Sequence, residues 1–317
     1  MIKNIMLFWI FYNMLLPLFS THAESLYLAS SSASFGVFYG QVEEILYKGD
    51  DSRDYLSQLL WDMEPLLFWG VSMNFERRNL LDGFGFFTEA TLKYGVNADS
   101  GVMEDRDWAG IYGQLTNYSQ HQNYTQNALI LNLDAGVSFP LFKIFVFKVY
   151  GTVLFVDFAF ESRDGYYQYT SSYTDTWSDS LPKKPYTGAA INYKQMWFIG
   201  GLGASLALPL GAFQIYLAFN ASPFISGVAH DTHLAYSYGN EFYDYLKGGF
   251  FLEPKAELSF AVSRFTTALF FSYKYTAGAS GSTYTKTNNR YIESGVAGGG
   301  FSFIETGLTI KIHLSGV

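Results

Sequence analysis

The chain has 317 residues, a formal net charge of −8, no cysteine and an aromatic content of 19%. The acidic balance and the lack of any basic run exclude a nucleic-acid partner. The missing thiols exclude disulfides and zinc–thiolate sites. Charged residues are only 15% of the chain and glycine numbers 30, a composition at odds with an ordinary water-soluble domain.

Residues 1–23 read as a secretory signal. Lys3 supplies the positive start, and Ile5 to Phe19 is apolar except for Tyr12, Asn13 and Pro17. Thr21-His22-Ala23 offers a small-x-small cleavage site. An uncleaved anchor is the alternative, and the short apolar core favours cleavage. Residues 24–317 then form one domain, without internal repeat or linker. No later apolar run is long enough for a spanning helix, since the nearest, Leu141 to Phe160, carries Lys143, Lys148 and Asp157.

Beyond the signal the chain alternates with period two. From Trp61 through Met63, Pro65, Leu67, Trp69, Val71 and Met73 to Phe75, every odd position is apolar. Phe84, Phe86, Thr88, Ala90, Leu92, Tyr94 and Val96 alternate against Gly85, Glu89, Thr91 and Lys93. Phe265 to Tyr275 and Leu308 to Leu314 repeat the pattern. A soluble β-sandwich would alternate too, but its strands average about 5–6 residues. The segments here exceed the ~9–11 residues a tilted strand needs to cross a bilayer. The expected fold is all-β, a ten-stranded antiparallel transmembrane β-barrel with apolar residues outward and polar residues inward.

Tight connections are expected near Glu76–Asp82, Pro140–Lys143, Pro209–Ala212 and Ser263–Phe265. Long polar ones are expected near Lys48–Ser57, Asn97–Gln122, Ser162–Gly188, His230–Lys247 and Ser280–Ile292. In such barrels the short turns face the periplasm and the long loops the exterior.

Two short motifs carry the chemistry. Asp105-Arg106-Asp107 and Asp231-Thr232-His233 each place two ionisable groups on one side of extended chain. Strand counting puts the first on the connection after strand three and the second on that after strand seven. Both therefore reach the same rim, nearly opposite one another in a ring of ten. His233, oriented by Asp231, is a good general base, and Asp105 and Asp107 resist ionising together. A water held between the walls could attack an amide carbonyl. Other readings stay open here: Asp-x-Asp in a loop is usually just solvated or a weak cation site. Ser119-Gln120-His121 lacks an acid partner for a nucleophile, and the EF-hand spacing for Ca²⁺ is absent.

At these residues the chain resembles the omptins, outer-membrane aspartyl-type proteases with a ten-stranded barrel. The similarity is carried by Met103-Glu104-Asp105-Arg106-Asp107-Trp108, Asp231-Thr232-His233, Ile191-Asn192-Tyr193-Lys194-Gln195 and the closing run Gly300 to Leu308. It extends from about Phe35 to Leu314. The resemblance implies that Asp105, Asp107, Asp231 and His233 activate water, without metal or cofactor. It implies cleavage between basic residues, with Glu44 as a pocket acid and Met103 and Ile191 lining a second pocket. Ala229 and Asn117 stand where the family carries two further acids.

The family also binds lipopolysaccharide on the barrel wall, which activates it. Glu161 and Arg163 match that motif, while Ala159 and Met196 depart from it. The chain ends on Leu314-Ser315-Gly316-Val317, not on a barrel-closing aromatic. The expectation is a monomeric outer-membrane endopeptidase whose partners are a peptide or protein substrate and outer-membrane lipid. The alternative is a catalytically silent surface barrel acting as an adhesin or binding module. An open diffusion pore is disfavoured, because so small a ring is filled by its own side chains.

Overall fold

A computed structural model describes residues 27–49, 54–81, 84–142, 144–234, 240–287 and 290–315; the signal expected at 1–23 lies outside them. Thirteen strands occur in chain order: β1 (Tyr27–Tyr47), β2 (Tyr55–Leu81), β3 (Phe84–Gly95), β4 (Ala98–Asp107), β5 (Asn117–Leu141), β6 (Phe145–Tyr169), β7 (Lys184–Leu210), β8 (Phe213–His233), β9 (Asn240–Lys247), β10 (Phe250–Val262), β11 (Phe265–Ala277), β12 (Ala279–Thr287) and β13 (Arg290–Ser315). All their pairings are antiparallel, and β1 with β13 closes the ring. Ten staves account for the thirteen strands. β4 continues β3 between β2 and β5; β9 and β10 share β8 as neighbour, and β11 and β12 share β13.

The staves are taller than the loops expected from sequence allowed. β5 and β6 have 25 residues each and β7 has 27. At ~3.4 Å per residue and ~45° tilt, 25 residues rise about 60 Å, twice a ~30 Å hydrocarbon core. Much of what reads as loop at Asn97–Gln122, Ser162–Gly188, His230–Lys247 and Ser280–Ile292 is therefore strand standing clear of the bilayer. Water wets the outer face there, so the lipid-driven alternation fades from the sequence. The tight connections after Leu141, Leu210 and Val262 fall where expected.

Around the lower half, Phe35, Leu67, Trp69, Phe86, Leu269 and Ile310 are among many exposed large apolar side chains, as a lipid-facing belt requires. The run from Trp61 to Phe75 is a correction. Trp61 and Met63 are fully buried inside the barrel, whereas Leu67 and Trp69 face out. A bulge changes the register between Phe38/Leu66 and Gly40/Met63, and the extra residue on β2 turns the inward set from odd to even.

The lumen is layered. Its lower part is polar, and a cavity of about 340 Å³ lies there. Buried Lys274 pairs with Glu253 at 2.9 Å and Glu305 at 2.6 Å. Lys255 also meets Glu253 at 3.1 Å, and Lys93 reaches Glu305. Above these ions lies an apolar layer of Phe38, Phe158, Phe301, Phe303, Trp197 and Leu66, each at most 2% exposed. Gly227 admits one of its members: a Cβ there would lie 2.6 Å from the Trp197 ring. This layer floors the groove above it.

Candidate active site

The upper groove is built by strand ends that continue past the apolar layer. Asp105 and Asp107 stand two apart on β4, opposite Leu59 and Ser57 of β2 and Ser119 and Asn117 of β5. They lie on strand and not on a loop, so pairing on both sides fixes their direction. Ser57 Oγ donates to Asp105 Oδ1 at 3.5 Å, and Asn117 Nδ2 donates to Asp107 Oδ2 at 3.3 Å. Burial raises the pKa of both carboxyls, and Asp107 raises that of Asp105 further.

Asp231 and His233 close β8, opposite Tyr193 and Ile191 of β7. Asp231 is 3% exposed, and its Oδ2 lies 2.7 Å from His233 Nε2. The His233 ring also meets Phe242 edge-on, centroids 5.5 Å apart. Burial alone would favour neutral imidazole. The Asp231 hydrogen bond and charge, together with the charges of Asp105 and Asp107, outweigh it and hold His233 above its ordinary 6.5. The structure thus brings the two motifs into electrostatic reach of each other, four staves apart on one rim.

Glu44 on β1 sits between Leu59 of β2 and Gly299 of β13 and is 2% exposed. Burial, then the charges of Asp231, Asp244 and Asp105, push it well above its ordinary range. Gly299 lets Gln195 and Leu246 close in beside it: a Cβ would lie 2.9 Å from Gln195 Nε2 and 3.0 Å from Leu246. Underneath, Trp61 stacks on Tyr193 with centroids 5.2 Å apart. Gln195 Nε2 donates to the Tyr193 hydroxyl at 2.7 Å, and Trp197 Nε1 donates to Gln195 Oε1 at 2.7 Å. This chain of bonds explains why a buried Gln and Tyr are tolerated. Met103 and Ile191 are buried in the apolar layer beside the motifs.

Sequence reasoning missed Asp244. It faces inward on β9, 1% exposed, directly opposite Ala229 of β8. Burial, with a smaller push from Asp231, raises it to about 7 against a partial offset from Thr283. Its place depends on the β8–β9 register, and the local pattern at Tyr243-Asp244-Tyr245 gives no sign of it. Ser119 and His121 do meet, at 3.2 Å, but the other His121 nitrogen is engaged by the Asp164 carbonyl at 2.6 Å.

Glu161 and Arg163 project from the outer wall of β6, away from the groove. Gln126 donates to Glu161 at 3.1 Å. Arg163 lies over the Tyr124 ring at 4.6 Å and reaches Asp99 at 3.4 Å. Lys194 and Asp157 pair nearby at 3.4 Å.

Comparison with known proteins fits this architecture. The chain has no match among curated protein sequences. Among solved structures it is similar to the outer membrane protease OmpT from Escherichia coli, with a TM-score of 0.78, 17% identity, and 90% of this chain and 97% of that one covered. The translocator domain of the autotransporter NalP from Neisseria meningitidis aligns over 95% and 92% of the two chains, but with a TM-score of 0.31 and 7% identity. The model of the omptin family matches residues 26–313. This chain, an outer-membrane β-barrel, belongs to the omptin family.

Proposed function

We propose that the protein is an endopeptidase of the outer membrane whose groove faces the exterior and hydrolyses peptide bonds with a water held between two walls. The observation that carries this reading is the 2.7 Å Asp231–His233 bond, set so that Asp105 and Asp107 also act on the imidazole. The similar structure is itself named an outer membrane protease.

The chemistry follows from the charges. In its neutral form His233 takes a proton from the water, and the resulting hydroxide adds to the amide carbonyl. Asp231 holds the ring and stabilises the imidazolium. Repulsion and burial leave the Asp105/Asp107 pair sharing a proton, so one member donates to the developing oxyanion while the other holds the water. His233 then returns its proton to the leaving amine. The sealed floor limits bulk water and strengthens each of these interactions.

Residues 1–23 act as the export signal, 24–317 as the single domain, and the chain works as a monomer. Glu161 and Arg163, on the outer wall above the apolar belt, contact lipid headgroups, the level at which lipopolysaccharide would act. The test is direct. The mature chain is refolded in detergent, with and without lipopolysaccharide, and given a peptide library read by mass spectrometry. Cleavage is expected, and His233→Ala or Asp105→Asn should lower it by about a hundredfold or more. Cleavage that survives both substitutions, or none by the wild type, sinks the proposal.

A further inference from the structure

The wall that carries Asp105 and Asp107 runs upward into an apolar cleft. The loop at 108–116 leaves Asp107, the last residue of β4, and returns at Asn117, the first of β5. It faces the end of the β1–β2 hairpin, and Tyr55, Leu56, Trp108, Ile111 and Tyr112 line the space between them. The rings of Tyr55 and Trp108 meet edge to face, centroids 5.7 Å apart. Tyr47 extends the row, 5.8 Å from Tyr55.

Neither lipid nor the core accounts for these side chains. The exposed apolar belt lower down meets hydrocarbon, but this cleft stands beyond the Asp105/Asp107 level, in water. Ile111 is 63% exposed and Tyr112 83%. A contiguous apolar surface in water marks a place of contact.

The loop keeps its shape without using those side chains. Trp108 N donates to Leu56 O and Thr116 N to Asp107 O, both at 2.9 Å, which ties the loop to β2 and closes its base. Gln114 folds over Gly110, where a Cβ would collide with its amide. Gln114 Oε1 accepts from Tyr112 N at 3.0 Å, and its Nε2 donates to Tyr173 O at 3.0 Å. Ile111 N also donates to Tyr173 O at 3.0 Å, and Trp177 N to Leu115 O at 2.8 Å. All the bracing from outside the loop's own base comes from the segment after β6. A cleft fixed in this way loses little entropy when it is filled.

Charge and reach define the occupant. Lys48 and Asp54 also border the cleft, and their opposite charges favour neither sign. Ile111 is four residues beyond Asp107, at most ~14 Å along the chain. An extended peptide lying at the Asp pair therefore reaches the cleft within about four residues of the bond that is cut.

Resting on the peptidase reading, we propose that Tyr55, Leu56, Trp108 and Ile111 form a subsite for one aromatic or large aliphatic side chain of the substrate. That side chain belongs to a residue near the scissile bond but not beside it. The subsite selects by apolar burial, and no charge takes part.

The experiment uses the mature chain, Ile111→Ser and Leu56→Ser, each refolded in detergent. Both positions are exposed, so neither change removes packing on which the fold depends. A cleavable peptide is varied, tryptophan against alanine, at each position up to about four residues either side of the cut. At one of these the wild type should favour tryptophan in kcat/KM by about ten- to a hundredfold, the worth of burying a large apolar side chain. Each loop variant should lower that ratio about three- to tenfold. Phe142→Ser, on the exposed turn between β5 and β6, should leave it unchanged. No tryptophan preference at any position, or one that neither loop variant lowers, overturns the proposal.

A second readout needs no cleavage. The His233→Ala chain is irradiated with a glycine–serine peptide carrying a central p-benzoylphenylalanine, and the adduct is located by mass spectrometry. It should fall within 55–56 or 108–112, and adducts only elsewhere overturn the subsite. If no peptide is cut yet the adduct falls there, the subsite stands as a peptide-binding cleft and the peptidase reading falls. Cutting with neither tryptophan preference nor that adduct does the reverse, and neither cutting nor that adduct overturns both.

Discussion

Because Asp244 is buried without a cationic partner among the described residues, the protein should be more stable without its charge. Its pKa stands at about 7 in the fold against an ordinary 3.8. At ~1.4 kcal/mol per pH unit, keeping it ionised in the folded state costs about 4 kcal/mol. The sign is fixed by the direction of the change. A raised carboxyl leaves stability intact below pH 3.8, loses it as pH climbs from there to about 7, and shows the full cost above that. Asp244→Asn removes the dependence. Its amide must still be accommodated, at a cost of about 1–2 kcal/mol, but that cost is the same at every pH. The quantity to read is therefore the stability difference between variant and wild type at pH 9 minus the same difference at pH 4. Guanidinium unfolding in micelles, followed by tryptophan fluorescence and extrapolated linearly, should give a rise of about 4 kcal/mol in favour of the asparagine. The rise should level off near pH 7. A change below about 1 kcal/mol, or one favouring the aspartate, would mean that the Thr283 hydrogen bond outweighs the cost of burial, and the reasoning would fail.

Two further outcomes rest on the same geometry. The rate should rise with pH as His233 loses its proton, and Asp231→Asn should move that limb of the kcat/KM profile to lower pH by about one to three units, because it removes the main group raising the imidazole. A limb that stays in place would assign it to another group. In the lumen, Lys274→Met leaves Glu253 and Glu305 short of a shared cation. It should cost about 3–5 kcal/mol in guanidinium unfolding, and a loss under about 1 kcal/mol would show that Lys255 and Lys93 suffice.

These expectations depend on features that the sequence reveals unevenly, for a physical reason. Lipid favours apolar residues on the outer face of the lower barrel, so Phe265 to Tyr275 and Leu308 to Leu314 alternate and the barrel is legible. Above the bilayer both faces meet water or polar neighbours. The strands β4, β9 and β12 therefore look like loops, and Asp105 reads as a loop residue although β2 and β5 pair it on both sides. The bulge opposite Phe38–Gly40 is invisible for a different reason. Trp61 and Met63 are apolar because they fill the core, while Leu67 and Trp69 are apolar because they meet lipid, and one unbroken pattern hides the change of face. The paired motifs were readable because i and i+2 spacing is local. The partner of Ala229 was not, since no spacing along the chain encodes which residue of β9 stands across from it. Ala229 and Asp244 face the lumen together only because the β8–β9 register sets them opposite one another.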